Sequence, residues 1–465
     1  LCSLIWSISC TVKKPCLNND GASSYISHEA LTLIKNLLVV LQPIFPLSLL
    51  TSQVNFVDKR IENKQTIILK KGVLLLSTYS FDQLINRTGT QSVKWDKTDL
   101  VFGAKDVLPF WVADMDFQAP PNVLQTINER VKHGIFGYTS PTESTANALS
   151  SWVKNKHQWT IDHEWITYSP GVVFALSMAI QAFTEPGDSI LIQPPVYTPF
   201  FNMIEVNDRE VVENPLKLAG DKYEIDFADL EKKFAEGAKL MILCSPHNPV
   251  GRVWTKEELK KLADLCQKYN VLIVSDEIHS DLIYHPYKHI PISMVSEDAA
   301  TRTITCMAPS KTFNIPGLQA SAVIIPNEKL RTQYVQQQQK QGFSNLNTFG
   351  IIGLEAAYSE GGEWLEALLV YLKKNVDLVT GFISEHLPEL RVIQPEGTYL
   401  LWIDCNKLHL SEEELHERLL EKGKIAVEKG EKYSSTYGKG FIRLNIGCSH
   451  EQLQEGLNRL KIALT

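Results

Sequence analysis

From about Phe81 onward, short, largely apolar runs alternate with stretches in which apolar residues recur every three or four positions. The runs at 189–192, 240–243, 271–274, 303–306 and 320–325 have no polar face to turn toward water. Strands buried on both faces read this way, which predicts a mostly parallel sheet lying between helices. Helix starts carry their own signals. Thr255 with Glu258 predicts a capping box ahead of Leu259, Leu262, Ala263 and Cys266, and Ser411 with Glu414 and Ser449 with Gln452 repeat the device. The four glutamines 336–339 read as a helix face. The last third of the chain changes character, with a long helical stretch over 362–386 and separated strands near 391–393, 399–403 and 441–446. The pattern as a whole is α/β: a large domain with a mostly parallel sheet between helices, plus a smaller α+β domain.

The first eighty residues lack this order. They hold eight Lys/Arg against four Asp/Glu, in a chain whose net charge is −7, and the first methionine is Met115. The apolar stretch at 37–50 is too short to span a bilayer and is broken by Pro43 and Pro46. Residues 1–80 are therefore expected to be an extraneous or poorly organised segment, translated from upstream of a start near Leu76-Ser77. No membrane association is expected.

Composition narrows the function. Hydrophobic residues make up 44% and charged residues 21%, as in ordinary globular proteins, and the acidic balance argues against a nucleic-acid partner. The eight cysteines form no CxxC pair and no metal-ligand spacing, so a reducing cytoplasm and no metal are expected.

Four segments could carry chemistry, each with a plain structural alternative. Lys311 follows the run ending at Met307 and is flanked by small residues, a setting that favours a neutral amine suited to Schiff-base chemistry. Asp276 ends the run 271–274 in Ser275-Asp276-Glu277-Ile278-His279, at the sheet edge where open α/β folds bind ligands. A carboxylate there could keep a pyridinium nitrogen protonated, or simply cap a turn. Asn248, in Ser245-Pro246-His247-Asn248-Pro249-Val250-Gly251, is presented at the same edge by a tight loop. Gly171, Val172 and Val173 open a helix whose free N–H groups could hold a phosphate.

Taken in order, Asn248, Asp276 and Lys311 after a glycine-led helix start resemble the fold-type I pyridoxal 5′-phosphate enzymes of the class I/II aminotransferase superfamily, over about 81–465. The resemblance implies that Lys311 carries the cofactor as an imine, that Asp276 pairs with the pyridine nitrogen and that Asn248 bonds its phenolic oxygen. It further implies that Tyr197 stacks on the ring and that Gly171, Val172, Val173 and Ser310 meet the phosphate. Tyr138 would reach that phosphate across a homodimer interface, and Arg443 would clamp the α-carboxylate of an amino-acid substrate, which its bidentate fork suits. Domains of 81–120 (arm), 121–345 (large, cofactor-binding) and 346–465 (small) follow.

Three positions depart from the usual aminotransferase pattern: His279 where a tyrosine is frequent, Gln319 where a phosphate arginine is frequent, and Ala308 where a serine is frequent. With Trp111-Val112-Ala113-Asp114-Met115-Asp116-Phe117, Ser310-Lys311-Thr312-Phe313-Asn314 and Arg443-Leu444-Asn445-Ile446-Gly447-Cys448, these resemble the MalY/PatB-type cystathionine β-lyases. The expected activity is carbon–sulfur cleavage in sulfur amino-acid metabolism, methionine biosynthesis included. An aminotransferase and a pyridoxal-phosphate-binding regulatory protein remain as alternative readings.

Overall fold

The computed structural model describes residues 79–465 together with two earlier strands, Ile67–Lys70 and Val73–Leu76, which pair antiparallel. The other expectations for residues 1–78 lie outside the described residues. Residues Leu84–Thr465 form one compact unit.

Its centre is a seven-stranded sheet. The strands are β1 (Ile166–Ser169), β2 (Ser189–Ile192), β3 (Glu210–Glu213), β4 (Leu240–Cys244), β5 (Leu272–Asp276), β6 (Thr303–Met307) and β7 (Ser321–Ile324), in the order β1-β7-β6-β5-β4-β2-β3. β7 runs antiparallel to both of its neighbours, β1 and β6, and the remaining pairs are parallel. Both faces are buried, and alternate residues go to opposite cores. Leu240, Ile242 and Val274 pack with helix α3 (Val172–Phe183) on one face, while Met241, Leu243 and Ile273 pack with α4 (Lys256–Tyr269) on the other. This double burial is why the strands read as unbroken apolar runs rather than as alternation.

A second sheet of four strands is antiparallel: β8 (Arg391–Ile393), β9 (Leu400–Asp404), β11 (Phe441–Asn445) and β10 (Glu428–Lys429), in that spatial order. Helices α6 (Gly362–His386) and α7 (His450–Leu464) belong to this part of the chain, and Asn375 of α6 reaches the Ile446 and Cys448 carbonyls at 2.8 and 2.9 Å.

The capping boxes at Thr255/Glu258 and Ser411/Glu414 form in full. At Ser449 only half of the device is present. Ser449 accepts from the Gln452 N–H, but the Gln452 side chain donates instead to Asp116 at 2.9 Å. That charge-assisted bond draws the Gln452 side chain toward Asp116, so its oxygen does not accept from the Ser449 N–H. Among the described residues, no helix is long and apolar enough to cross a membrane.

Candidate active site

The C-terminal edge of the large sheet gathers the charged groups. Asp276 is the last residue of β5, flanked in register by Cys244 of β4 and Cys306 of β6. It is 4% exposed, and its carboxylate accepts from the Ile278 N–H at 3.1 Å. Burial pushes its pKa from 3.8 up to about 7, against the opposing pull of that N–H and of Lys311.

Lys311 stands on α5 (Pro309–Thr312), a single turn that follows β6. Its Nζ donates to the Ala113 carbonyl at 2.7 Å, an oxygen that also accepts from the Tyr399 hydroxyl at 2.9 Å. Burial lowers the amine from 10.5 to about 8; Asp114 and Asp276 pull upward, and Arg443 pushes further down. An amine so placed gives up its proton far more readily than an ordinary lysine, so a working fraction is neutral near physiological pH, as proton transfer at carbon requires.

The loop after β4 presents Asn248. Gly251 closes it at φ +71°, where a side chain would be strained and a Cβ would meet Pro395 at 3.0 Å. Asn248 Oδ1 accepts from Arg443 Nη1 at 3.2 Å. Arg443 lies in β11 between Glu428 and Trp402, its Nη2 donates to the Trp111 carbonyl at 2.7 Å, and its guanidinium sits 5.1 Å from the Tyr433 ring centre. Its hydrogen-bond acceptors are both neutral, and the buried Nε has none. A buried cation so placed keeps its charge available for an anion.

Tyr197 is half-buried, and its phenol is raised by burial and then by the Asp276 carboxylate. Gly171 caps α3, leaving the N–H groups of Val172 and Val173 at the helix start, and Ser310 is partly buried on α5. Tyr138 stands apart. It is fully exposed, next to exposed Ile135 and Phe136.

Asn248, Asp276, Lys311 and Arg443 are thus brought near one another from two sheets. The sequence matches the family "Aminotransferase class I and II" over residues 105–460. The chain belongs to that family. It is 51% identical over 387 residues to "Cystathionine beta-lyase PatB" of Bacillus subtilis, covering 83% of this chain and all of that protein. Identity to "Protein MalY" of Escherichia coli is 36% over 383 residues, covering 82% and 97% of the two chains. The solved structure of a pyridoxal-phosphate-bound C–S lyase from Staphylococcus hominis superposes with a TM-score of 0.78 at 33% identity, covering 84% and 99%. Within the class I/II family, the chain belongs with PatB and MalY.

Sequence reasoning missed how this class I/II site is walled. Residues 111–117 run between the two parts of the fold. Asn314 Nδ2 donates to the Met115 and Phe117 carbonyls at 2.8 and 2.7 Å and Asn314 Oδ1 accepts from Met115 N–H at 2.9 Å. From the other side, Asn445 Nδ2 donates to the Val112 and Asp114 carbonyls, both at 2.6 Å. Asn314 follows Lys311 by three residues and Asn445 follows Arg443 by two, so each clamp stands close in sequence to a charged residue of the site. Asp114 and Asp116 anchor the segment further. Arg87 pairs with both at 2.8 and 2.7 Å, and fully buried Lys94 pairs with Asp116 at 2.7 Å. Burial alone would raise Asp116, but Lys94, Trp95 and Arg87 outweigh it and hold the carboxyl below its ordinary range.

His279 is 3% exposed beside the Tyr399 ring, and its Nδ1 has no partner. Burial, with Lys311 and Arg443 nearby, lowers the imidazole to about 3, so it is neutral throughout the physiological range.

Proposed function

We propose that this protein cleaves the Cβ–S bond of L-cystathionine or a related cysteine S-conjugate, releasing a thiol such as homocysteine together with pyruvate and ammonia. It is a pyridoxal-phosphate-dependent carbon–sulfur lyase. The observation that carries the reading is the juxtaposition of a Lys311 amine that loses its proton easily, a buried Asp276 carboxylate and an Arg443 guanidinium whose hydrogen-bond acceptors are neutral.

The residues fit the cofactor. Asp276, buried with one backbone donor, suits a protonated ring nitrogen, and the unpartnered Arg443 Nε and His279 Nδ1 are polar atoms that a bound ligand would satisfy. Asn248 and Tyr197 would hold the ring, with Gly171, Val172, Val173 and Ser310 at the phosphate. When bound, pyridoxal phosphate supplies an electron sink for the pair left behind as Cα loses its proton.

The chain's own groups do the rest. Arg443 takes the substrate α-carboxylate on its free edge and so fixes which Cα bond faces Lys311. Lys311 Nζ accepts the Cα proton. The electron pair then expels sulfur from Cβ, and Lys311 can return its proton to the departing thiolate. The 2-aminoacrylate left takes up water to give pyruvate and ammonia.

The purified, cofactor-loaded protein is expected to convert cystathionine to equal amounts of pyruvate and free thiol with no keto acid added. Coupling pyruvate to lactate dehydrogenase while titrating thiol checks this. Turnover that appears only with a keto acid, and without thiol release, would identify an aminotransferase instead.

The working unit is a symmetric homodimer with Tyr138 contributed to the neighbouring site. Support comes from the exposure of Ile135, Phe136 and Tyr138 side by side, an apolar run that a single chain leaves in water. Light scattering on active enzyme is expected to give twice the chain mass, and an active monomer at working concentration would contradict it. The arm (81–120), large domain (121–345) and small domain (346–465) are the functional divisions. A cytoplasmic setting suits the five described cysteines, which are all free and buried.

A further inference from the structure

Behind the site lies a buried polar layer that the reaction does not use. Asp281, five residues after Asp276 on the loop that follows β5, is 8% exposed and accepts three hydrogen bonds. They come from Thr312 Oγ1 at 2.9 Å, Trp152 Nε1 at 3.0 Å and His157 Nε2 at 2.9 Å. Trp152 and His157 belong to α2 (Glu143–His157), the second helix of the large domain. The Tyr358 hydroxyl also lies within electrostatic reach. Burial alone would raise the Asp281 carboxyl, but His157, Thr312 and Trp152 together hold it below its ordinary range. The layer continues. His157 meets the edge of His289 at 5.2 Å between ring centres, and His289 pairs at 2.7 Å with Glu277, the residue after Asp276.

The turn that carries Lys311 needs such support. Pro309–Thr312 is four residues long, and its closing backbone bond is Phe313 N–H to the Pro309 carbonyl at 2.9 Å. One turn of helix is too short to hold its own geometry. Thr312, its fully buried last residue, ties it to Asp281, and Asn314, two residues on, ties the chain that leaves it to residues 115 and 117. Thr312 is the residue next to the amine.

We propose that Asp281 is a positioning residue: through Thr312 it locks the Lys311 turn to the loop that begins at Asp276 and carries His279, so that amine and carboxylate keep a fixed separation. The inference rests on the reading of Lys311 as the cofactor lysine. An error of about 1 Å in such a placement can cost on the order of a hundredfold in rate.

The test uses the holoenzyme. Thr312→Val removes the hydroxyl and keeps the shape. It is expected to lower kcat roughly tenfold or more while KM changes by less than about twofold, because the group acts on geometry and not on substrate binding. It is also expected to move the pH midpoint of the cofactor's visible absorbance by about half a pH unit or more, because the surroundings of the amine change. Thr312→Ser, which restores the donor, is expected to return both values toward wild type, and Asp281→Asn to shift both in the same direction as Thr312→Val. A Thr312→Val enzyme with wild-type kcat and midpoint would overturn the proposal, as would a serine variant as impaired as the valine one. Lys311→Ala in parallel separates the two levels. If it keeps the absorbance band and turnover, the lysine reading itself fails; if it loses them while Thr312→Val is unchanged, only the positioning role fails.

Discussion

Lys311→Ala is expected to lose turnover by ~10³-fold or more, because one change removes both the amine that attaches the cofactor and the base that takes the Cα proton. The same variant is expected to lose the borohydride-sensitive visible band of the holoenzyme. Arginine is no substitute, since a guanidinium stays protonated at any working pH. The environment adds a quantitative expectation. Burial lowers the Lys311 amine from 10.5 to about 8, and only the neutral amine can attack a carbonyl. Cofactor capture by the apoenzyme should therefore accelerate with rising pH and level off above about 8. Stopped-flow absorbance across pH 6–11 checks this. A midpoint near that of an ordinary lysine would mean that the amine is solvated and the site is not the one described. Full turnover by Lys311→Ala would remove the lysine from the chemistry altogether.

How much of this was legible before the structure depends on what kind of group does the work. The strands were legible because β4, β5 and β6 are buried on both faces, and such burial leaves no polar position to blur the run. Asp276 and Lys311 were legible for a related reason: each is the first charged residue after such a run, and a parallel sheet delivers those ends to one edge. The wall of the site was not legible. It is made of the carbonyls of Trp111, Ala113, Met115 and Phe117, and a backbone oxygen leaves no mark on the side chain that owns it. The Asp281–Thr312 bond and the Arg443–Asn248 bond join residues 31 and 195 positions apart. Nothing in local spacing announces such pairs. Gln452 shows the converse, a local signal overridden when tertiary packing brings Asp116 within reach of its amide.

Asp276→Asn is expected to separate what the carboxylate does for chemistry from what it costs the fold. Asparagine has the same shape but cannot hold a proton on a ring nitrogen by charge, so the electron sink weakens and turnover should fall roughly 10²- to 10³-fold. The apoprotein should respond in the opposite direction. Burial raises the Asp276 carboxyl from 3.8 to about 7, so between those values the folded chain keeps a proton that the unfolded chain has lost. Apoprotein stability from this group therefore falls as pH rises from about 4 to about 7, and the full cost is present above that. At about 1.4 kcal/mol per tenfold, the cost approaches roughly 4 kcal/mol as an upper bound, since an unfolded chain is never wholly solvated. The asparagine apoprotein should accordingly be more stable than wild type in urea at pH 8 and gain nothing near pH 4. Adding cofactor should reverse the order at pH 8, because only the aspartate gains an ion pair from the ring nitrogen. A stability gain that is independent of pH would mean that the carboxylate is not ionised against the grain of its surroundings. A gain that cofactor fails to reverse would mean that Asp276 is not the ring-nitrogen partner, because Asp276, unlike Asp116 and Asp281, has no protein side chain donating to it that could offset its burial.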